Sequence, residues 1–349
     1  TTLAEHVHGN DVDILNDVST VVLKSSIDLG FGPELKVNVQ SESFKRLQRI
    51  LPRITQLSVV RLMKIWLWSD SIFQFLYRKE LEEIDTTVAN FLKESFQVIE
   101  QNNSEKYGDA IGRNTESGEQ DSCRSITLLD IHRTLRESYP DFTDKHLQHE
   151  ITTLLIAGAN TTKATVCSCL LALAANPQIQ ERVHAEIVAV VGSEESVITM
   201  EYIKAMPYLD QVLNETLRKF MIIPMLTRSI KGDIKLKHFT VPAGATVSVA
   251  VVSLHLDPQH YPDPEKFDPD RFTPENNAKR ERYSFLPFGG GPRNCIGKTF
   301  AFAEMKILLA HVIRKFKMTT SADINNLTFI PSFSLLSVDG YKIKFRHRY

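Results

Sequence analysis

The chain has 349 residues, of which 42% are hydrophobic, and its 41 basic side chains nearly balance 42 acidic ones. This size and apolar content allow a large buried core, and the balanced charge argues against a nucleic-acid-binding protein. The four cysteines do not show the spacing of a disulfide framework, which fits a reducing compartment. No apolar run is long enough to span a bilayer.

Helical patterns dominate the first 140 residues. An aliphatic stripe that ends near Gly30 predicts a first helix. Two longer amphipathic stretches follow, and we expect most of their aromatic side chains in the core: Trp66, Trp68, Phe73, Phe75, Tyr77, Phe91 and Phe96. Residues 102–125 are polar and rich in Gly, Ser, Asp and Glu, which predicts a flexible polar loop. A short helix is predicted over 128–137.

The longest helical pattern extends over 143–176. Thr143 is a favourable N-cap, and Asn176 followed by Pro177 ends the pattern. At a rise of about 1.5 Å per residue, this helix is on the order of 45 Å long. Its middle, 157–162, contains small residues against which a bulky group or a second helix can pack.

Glu215 and Arg218 lie three residues apart and therefore share one face of a predicted helix. As an exposed pair they would contribute only a few tenths of a kcal/mol. Beyond them, β-branched segments between 227 and 252 alternate with turns at Gly232 and Gly244, which predicts short strands. The fold class is therefore mainly α with a small β-rich part.

Three consecutive glycines precede Cys295 in the loop 288–297, and Gly297 follows it. Glycine allows close approach of the backbone to a flat ligand. A loop of this kind can hold one sulfur rigidly, with amide N–H groups directed at it, as a soft, charged axial metal ligand requires. The alternative is a buried cysteine in a glycine-rich turn.

The spacing Phe-x-x-Gly-x-x-x-Cys-x-Gly, with Arg293 two residues before Cys295, resembles the heme-binding loop of the cytochrome P450 superfamily. Four separated motifs occur in that family's order, and parts of the chain are similar to its animal family-four branch. The resemblance implies a single domain of the cytochrome P450 fold over 1–349. The chain would be the C-terminal part of that domain, and we expect its N-terminal portion to be missing.

The resemblance assigns roles around the loop. Cys295 would be the proximal thiolate ligand of heme b, a ligand that favours O–O cleavage. Phe288 would shield the sulfur, and Gly297 would lie against the cofactor. Arg293 would pair with one heme propionate and Arg228 with the other, although Arg228 taken alone is an ordinary strand arginine.

By the same resemblance, helix 143–176 is the oxygen-activation helix. Ala157 and Gly158 would lie against the heme, and the Thr161 hydroxyl would help deliver protons. Helix–helix packing through small residues is the alternative. Asn160 occupies a position where an acid is usual, and an amide cannot relay protons as a carboxylate does. Some relatives carry a glutamate that esterifies the heme at the position of Ala157, so no covalent heme ester is expected here.

The pair Glu215 and Arg218 matches the family's Glu-x-x-Arg element. Arg271, in the proline-rich segment 261–272, is the candidate for the second arginine of a buried triad. This triad would brace the heme loop without taking part in chemistry. Breaking a buried network of this kind costs several kcal/mol.

The resemblance implies a monooxygenase that inserts one atom of dioxygen into an apolar substrate, such as a fatty acid, hormone or xenobiotic. Electrons would come from NADPH through a flavoprotein reductase, with a b-type cytochrome as a further donor. Exposed basic side chains after the loop would suit an acidic donor: Lys298, Lys306, Arg314, Lys315 and Lys317. A missing N-terminal anchor would hold the protein on the cytoplasmic face of the endoplasmic reticulum membrane.

Two alternatives stay open. One is a heme-thiolate isomerase or dehydratase that needs no reductase; the presence of Thr161 argues against it. The other is a truncated, non-catalytic fragment that cannot hold heme.

Overall fold

The structure, a computed structural model, describes residues 10–32, 35–111, 131, 134–135, 138–139, 141–192, 196–330 and 334–348. The helix predicted over 128–137 lies largely outside these residues, as do positions 112–125 of the predicted polar loop. The chain divides into two compact units. One contains residues 19–160, and the other contains 161–349 together with the first 18 residues.

The helices described before residue 112 are α1 (Leu15–Phe31), α2 (Glu42–Met63) and α3 (Asp70–Ile111). A 3-10 turn, Ile65–Trp68, joins α2 to α3. Because α3 continues to Ile111, residues 102–111 are helical and the loop prediction is wrong there. This segment contains no proline, and polar residues are tolerated on an exposed helix, so its composition alone did not mark the helix end.

Helices α2 and α3 pack against each other, but the turn between them leaves large aromatic side chains in solvent. Phe73 and Phe91 are buried, as expected. Trp66, Trp68 and Phe75 are instead 59%, 60% and 83% exposed, so the prediction that they lie in the core is wrong. Trp66 and Trp68 lie in the 3-10 turn, which breaks the helical repeat, so the apolar stripe does not continue through it. Phe75 lies on an exposed face of α3.

The long helix is α4 (Asp144–Ala175), and Pro177 occupies the first turn of the next helix. The remaining helices are α5 (Pro177–Val191), α6 (Met200–Lys204), α7 (Pro207–Phe220), α8 (Val251–His255), α9 (Pro274–Lys279) and α10 (Lys298–Lys315). By length and composition alone, Lys145–Ala175 could cross a membrane, so the expectation that no segment is long enough is wrong for this helix. Its most apolar window is 72% buried inside the protein, as in the core helix of a globular domain.

The strands form small antiparallel sheets. Strands β1 (Val12–Asp13), β9 (Lys342–His347) and β6 (Phe316–Thr319) make a three-stranded sheet in that order. The described residues also form three two-stranded pairs: β2 (Met225–Ser229) with β5 (Thr246–Ala250), β3 (Ile234–Lys235) with β4 (Thr240–Val241), and β7 (Phe329–Ile330) with β8 (Leu336–Ser337). The mainly α architecture with a small β part is confirmed.

The core of the unit that contains 161–349 is built from helices. The second half of α4 is almost completely buried. Helix α10 packs against α5, and α5 packs against α7. Gly340 fixes the last hairpin, because its φ is +75° and a Cβ there would lie 2.4 Å from a carboxylate oxygen of Asp13.

Candidate active site

The cysteine loop is held in shape by its own backbone. A 3-10 turn spans Gly291–Arg293, and the Cys295 N–H donates to the Phe288 carbonyl over 2.9 Å. Gly289 and Gly291 have φ values of +72° and +77°, which L-residues with side chains rarely adopt. Gly289 and Gly291 are therefore required for the fold of the loop itself.

Cys295 is exposed, and the next residue, Ile296, is 92% exposed although it is apolar. Cys167 and Cys169 are fully buried in α4. Burial raises the pKa of the Cys169 thiol to about 12 and raises the pKa of the Cys167 thiol further. Among the cysteines that the structure describes, only Cys295 is exposed to solvent.

The loop is anchored to the start of α10. The Phe288 and Phe302 rings lie 5.5 Å apart between centroids, and the Lys298 ammonium lies 5.8 Å from the Phe288 ring centre. A Cβ on Gly297 would lie 4.0 Å from the Cys295 Sγ, so this position is next to the sulfur. The predicted loop residues Phe288, Cys295 and Gly297 are thus brought together.

Two arginines accompany the loop. Arg228, on β2, donates from Nη2 to the carbonyl of Arg293 over 3.3 Å and from Nη1 to the Thr227 carbonyl over 2.8 Å. Both arginine side chains are exposed. Strand β2 therefore places a second cation beside the loop, although 65 residues separate the two positions in sequence.

These features fit a flat, anionic, largely apolar group. An exposed thiol and an exposed Ile296 lie next to a glycine-rich backbone, and two exposed arginines can bind carboxylates. Heme with its two propionates has this chemistry.

A buried ion pair lies in the same unit as the loop. Arg218 Nε and Nη2 donate to the two carboxylate oxygens of Glu215, over 2.7 and 2.8 Å, and neither side chain is accessible to solvent. Arg218 also donates to the carbonyls of His255 and Pro264, over 3.0 and 2.8 Å. This is a bidentate pair with its remaining donors satisfied, which is the geometry that makes a buried charge tolerable.

Arg271 approaches the same carboxylate, with its Nε 3.6 Å from Glu215 Oε1. The Asp268 N–H donates to that oxygen over 2.8 Å, and Arg271 Nη2 donates to the Asp263 carbonyl over 2.7 Å. Burial raises the pKa of Glu215, and the hydrogen bond from Arg218 opposes that shift. The structure brings the three residues of the predicted triad together.

The site residues predicted on helix α4 differ from one another in their exposure to solvent. Ala157 is exposed and Thr161 half-buried, and residues four apart share one helix face. Asn160 is buried, and its side-chain Nδ2 has no hydrogen-bond partner among the described residues. A Cβ on Gly158 would lie 3.2 Å from the Ser26 Oγ of α1, so helix packing accounts for this glycine. The location of these residues opposite Cys295 stays a prediction.

Two of the five basic side chains expected to be exposed after the loop are buried. Lys306 pairs with Asp210 over 2.7 Å and donates to the Met206 carbonyl, and Arg314 donates to the Ser196 carbonyl. Long basic side chains can reach backbone carbonyls across an apolar helix face, so their charge alone did not indicate exposure. Lys298, Lys315 and Lys317 are exposed.

Sequence reasoning missed His255, which is completely buried at the end of α8. Its Nε2 accepts the Leu286 N–H over 2.9 Å, and its carbonyl accepts from Arg218. A single histidine in a short helix gives no periodic signal, and only the fold shows that it lies between the triad and the loop.

Comparisons with known proteins agree with this arrangement. The family model described as Cytochrome P450 matches residues 1–345. Cytochrome P450 4V2 of Rattus norvegicus is 28% identical over 99% of this chain and 66% of its own length. Cytochrome P450 4c3 of Drosophila melanogaster is 29% identical over 90% of this chain and 60% of its own length. Probable cytochrome P450 6a13 of Drosophila melanogaster is 44% identical over 48% of this chain and 34% of its own length.

The similarity to family-four proteins expected from the sequence is confirmed, and the chain spans 60 to 66% of the length of these two family-four relatives. The cysteine loop, the buried triad and the match to the family model, which leaves only the last four residues unmatched, lead to one conclusion. The chain belongs to the cytochrome P450 family.

Proposed function

We propose that this protein is a heme-thiolate monooxygenase that inserts one atom of dioxygen into an apolar organic molecule. The observation that carries the proposal is the exposed Cys295 on a rigid glycine loop, with the Arg228 guanidinium hydrogen-bonded to the same loop. Similarity to two family-four proteins supports a long apolar substrate such as a fatty acid, with hormones and xenobiotics as further candidates.

Cys295 would bind heme b through its Sγ, and Arg293 and Arg228 would each pair with one propionate. The half-buried Phe288 and the small Gly297 would flank the sulfur and control access of water to it. When bound, heme would supply the activation of dioxygen. Ala157 has no carboxyl group, so the cofactor would be held without an ester bond at that position.

Thr161 would hold and pass a proton on the partly exposed face of α4 that it shares with Ala157, since a hydroxyl both donates and accepts hydrogen bonds. Asn160 would orient that proton path through its amide, because the amide does not itself exchange protons as a carboxylate does. An Asn160→Asp variant is therefore expected to couple electron use to product formation more tightly than the parent protein.

Electrons would come from NADPH through a flavoprotein reductase, with a b-type cytochrome as a further donor. Lys298, at the start of α10, is exposed beside the cysteine loop and would attract an acidic partner there. With Lys306 and Arg314 buried, the basic surface is smaller than the charge pattern indicated.

We place the protein on the cytoplasmic face of the endoplasmic reticulum membrane. Exposed apolar residues around the α2–α3 turn support this location, including Trp66, Trp68 and Phe75. The Trp68 indole N–H donates to the Leu62 carbonyl over 3.3 Å, so its ring can enter an apolar phase without losing a hydrogen bond. Tryptophan favours membrane interfaces.

The deciding experiment is heme reconstitution followed by a carbon-monoxide difference spectrum. We expect a thiolate-type Soret band that disappears in Cys295→Ser. A chain that takes up no heme would support the non-catalytic fragment instead, and a band that survives in Cys295→Ser would refute the ligand assignment.

Dependence of turnover on NADPH and reductase then separates the monooxygenase from a heme-thiolate isomerase or dehydratase. Turnover of a peroxide substrate without either component would support the isomerase or dehydratase.

A further inference from the structure

His255 connects the buried triad to the segment that leads into the cysteine loop. It closes the short helix α8, and none of its surface is accessible to solvent. On one side, its carbonyl accepts from Arg218 Nη1 over 3.0 Å. On the other side, its ring Nε2 accepts the backbone N–H of Leu286 over 2.9 Å. His255 therefore contacts both the buried triad and the segment that leads into the cysteine loop.

The ring is held by aromatic neighbours. The Phe285 ring lies 5.2 Å away with a tilt of 32°, and the Tyr261 ring lies 6.4 Å away, edge-on. The Tyr261 hydroxyl donates to the Ser284 carbonyl over 3.1 Å. The backbone is thus held at Ser284 by Tyr261 and at Leu286 by His255.

From Leu286, backbone hydrogen bonds continue to the cysteine. The Leu286 carbonyl accepts from Gly289 over 3.1 Å, and the Phe288 carbonyl accepts from Cys295 over 2.9 Å. The position of Leu286 therefore sets where the turn begins, and that turn sets where the Cys295 backbone lies.

We propose that His255 is a positioning residue whose neutral Nε2 fixes Leu286 and thereby holds the cysteine loop in the register that presents Cys295. The expected effect on heme ligation rests on the proposed function. The hydrogen bond from the Leu286 N–H to His255 Nε2 does not depend on that function. The alternative is that His255 only fills space between aromatic rings.

The proposal requires a neutral ring, because a protonated imidazole has no lone pair to accept the Leu286 N–H. Burial and the positive charge of Arg218 lower the pKa of His255 to about 4, so the ring is neutral at physiological pH. A neutral ring that accepts at Nε2 carries its proton on Nδ1.

The first test needs no substitution. In the wild-type chain labelled with ¹⁵N-histidine, we expect the His255 signal of a ring protonated at Nδ1 and bare at Nε2. A ring protonated at Nε2 would overturn the proposal, since it cannot accept from Leu286.

The second test compares His255→Gln with His255→Met. Both side chains have similar length and volume, but only glutamine retains an acceptor near the place of Nε2. We expect the Leu286 amide of the heme-free chain to exchange hydrogen about tenfold faster or more in His255→Met, and close to the wild-type rate in His255→Gln. Equal acceleration in both variants would show a space-filling role and overturn the proposal.

The matched control is His260→Met. His260 lies in the same segment, is partly exposed and has its Nδ1 3.5 Å from Glu281 Oε2. This substitution should leave exchange at Leu286 unchanged, and an equal effect at His260 would also overturn the specific role of His255.

The third test measures heme ligation by the carbon-monoxide difference spectrum. At equal heme content, His255→Met should convert part of the thiolate-type carbon-monoxide complex to a form without thiolate ligation, and His255→Gln should restore it. If His255→Met accelerates hydrogen exchange at the Leu286 amide but leaves the carbon-monoxide spectrum unchanged, the position of Leu286 does not control the ligation by Cys295, and that part of the proposal is wrong. A wild-type chain with no thiolate band would instead refute the proposed function, and the exchange data would still decide the hydrogen bond.

Discussion

The residues beneath the cysteine loop and the residues on its open side have opposite surroundings. Beneath it, Glu215, Arg218 and His255 are inaccessible to solvent and joined by hydrogen bonds of 2.7 to 3.0 Å. On the open side, Cys295 and Arg228 are exposed. The three buried residues are therefore bonded to one another, whereas we expect the exposed surface that would receive the cofactor to contribute little to folding. Substitutions in the two regions should separate stability from heme binding.

The largest effect on stability is expected for Arg218→Ala. It leaves the Glu215 carboxylate buried without its bidentate partner, which should cost about 3–5 kcal/mol in the free energy of unfolding. Urea denaturation followed by circular dichroism measures this loss. Arg78→Ala is the control, because its pair with Glu82 is exposed to solvent and should contribute little to stability. Similar losses in both variants would contradict the distinction between the buried residues and the exposed surface.

His255 is expected to make the free energy of unfolding depend on pH, with a loss of similar size in acid. Its pKa is about 4 in the folded chain, against an ordinary value of 6.5, because burial and the nearby Arg218 and Arg280 cations disfavour its protonation. As pH falls below about 6.5 the unfolded chain takes up the proton first, so stability decreases until the folded ring protonates near pH 4. The full shift corresponds to roughly 3 kcal/mol.

This loss can be isolated by comparing the pH dependence of unfolding in wild type and His255→Gln. Subtraction of the two curves removes the contributions of Glu215 and Tyr261, whose pKa values burial also shifts. Parallel curves between pH 6.5 and 4 would show that His255 does not titrate in this way.

On the open side, Arg228→Ala should accelerate heme loss from the reconstituted protein about tenfold, because the proposed charge-assisted hydrogen bond from Arg228 to a propionate would be removed. Transfer of heme to an excess of a heme-scavenging protein gives the rate. Arg346→Ala removes an exposed arginine on β9 and should have no effect. Equal rates of heme loss in wild type and Arg228→Ala would show that Arg228 does not bind the cofactor.

The smallest effect on folding is expected for Cys295→Ser. Because the side chain is exposed, the free energy of unfolding of the heme-free chain should change by about 0.5 kcal/mol or less. Cys167→Ser should cost roughly 1–3 kcal/mol, since it places a hydroxyl at a fully buried position. Reversal of this order in urea denaturation would contradict the exposed position of Cys295.

Much of the site could be predicted because its parts are local. The glycines around Cys295 determine their own turn, and the i,i+3 spacing of Glu215 and Arg218 already places them on one helix face. His255 could not be predicted, because its hydrogen bonds reach residues 37 and 31 positions away. The exposure of Trp66 and Trp68 was missed for a related reason. A helical stripe indicates which face is apolar, but not whether a second element covers it.

The sequence by itself determined the family, the long helix and the mainly α architecture, and it singled out Cys295 as the candidate ligand, since each depends on the order of nearby residues. Tertiary structure decided which charges are buried. It placed Lys306 and Arg314 inside, joined Arg271 to Glu215 across 56 positions of chain, and set Gly158 against Ser26. Burial is a property of what packs on a residue, and only the folded chain brings those distant partners together.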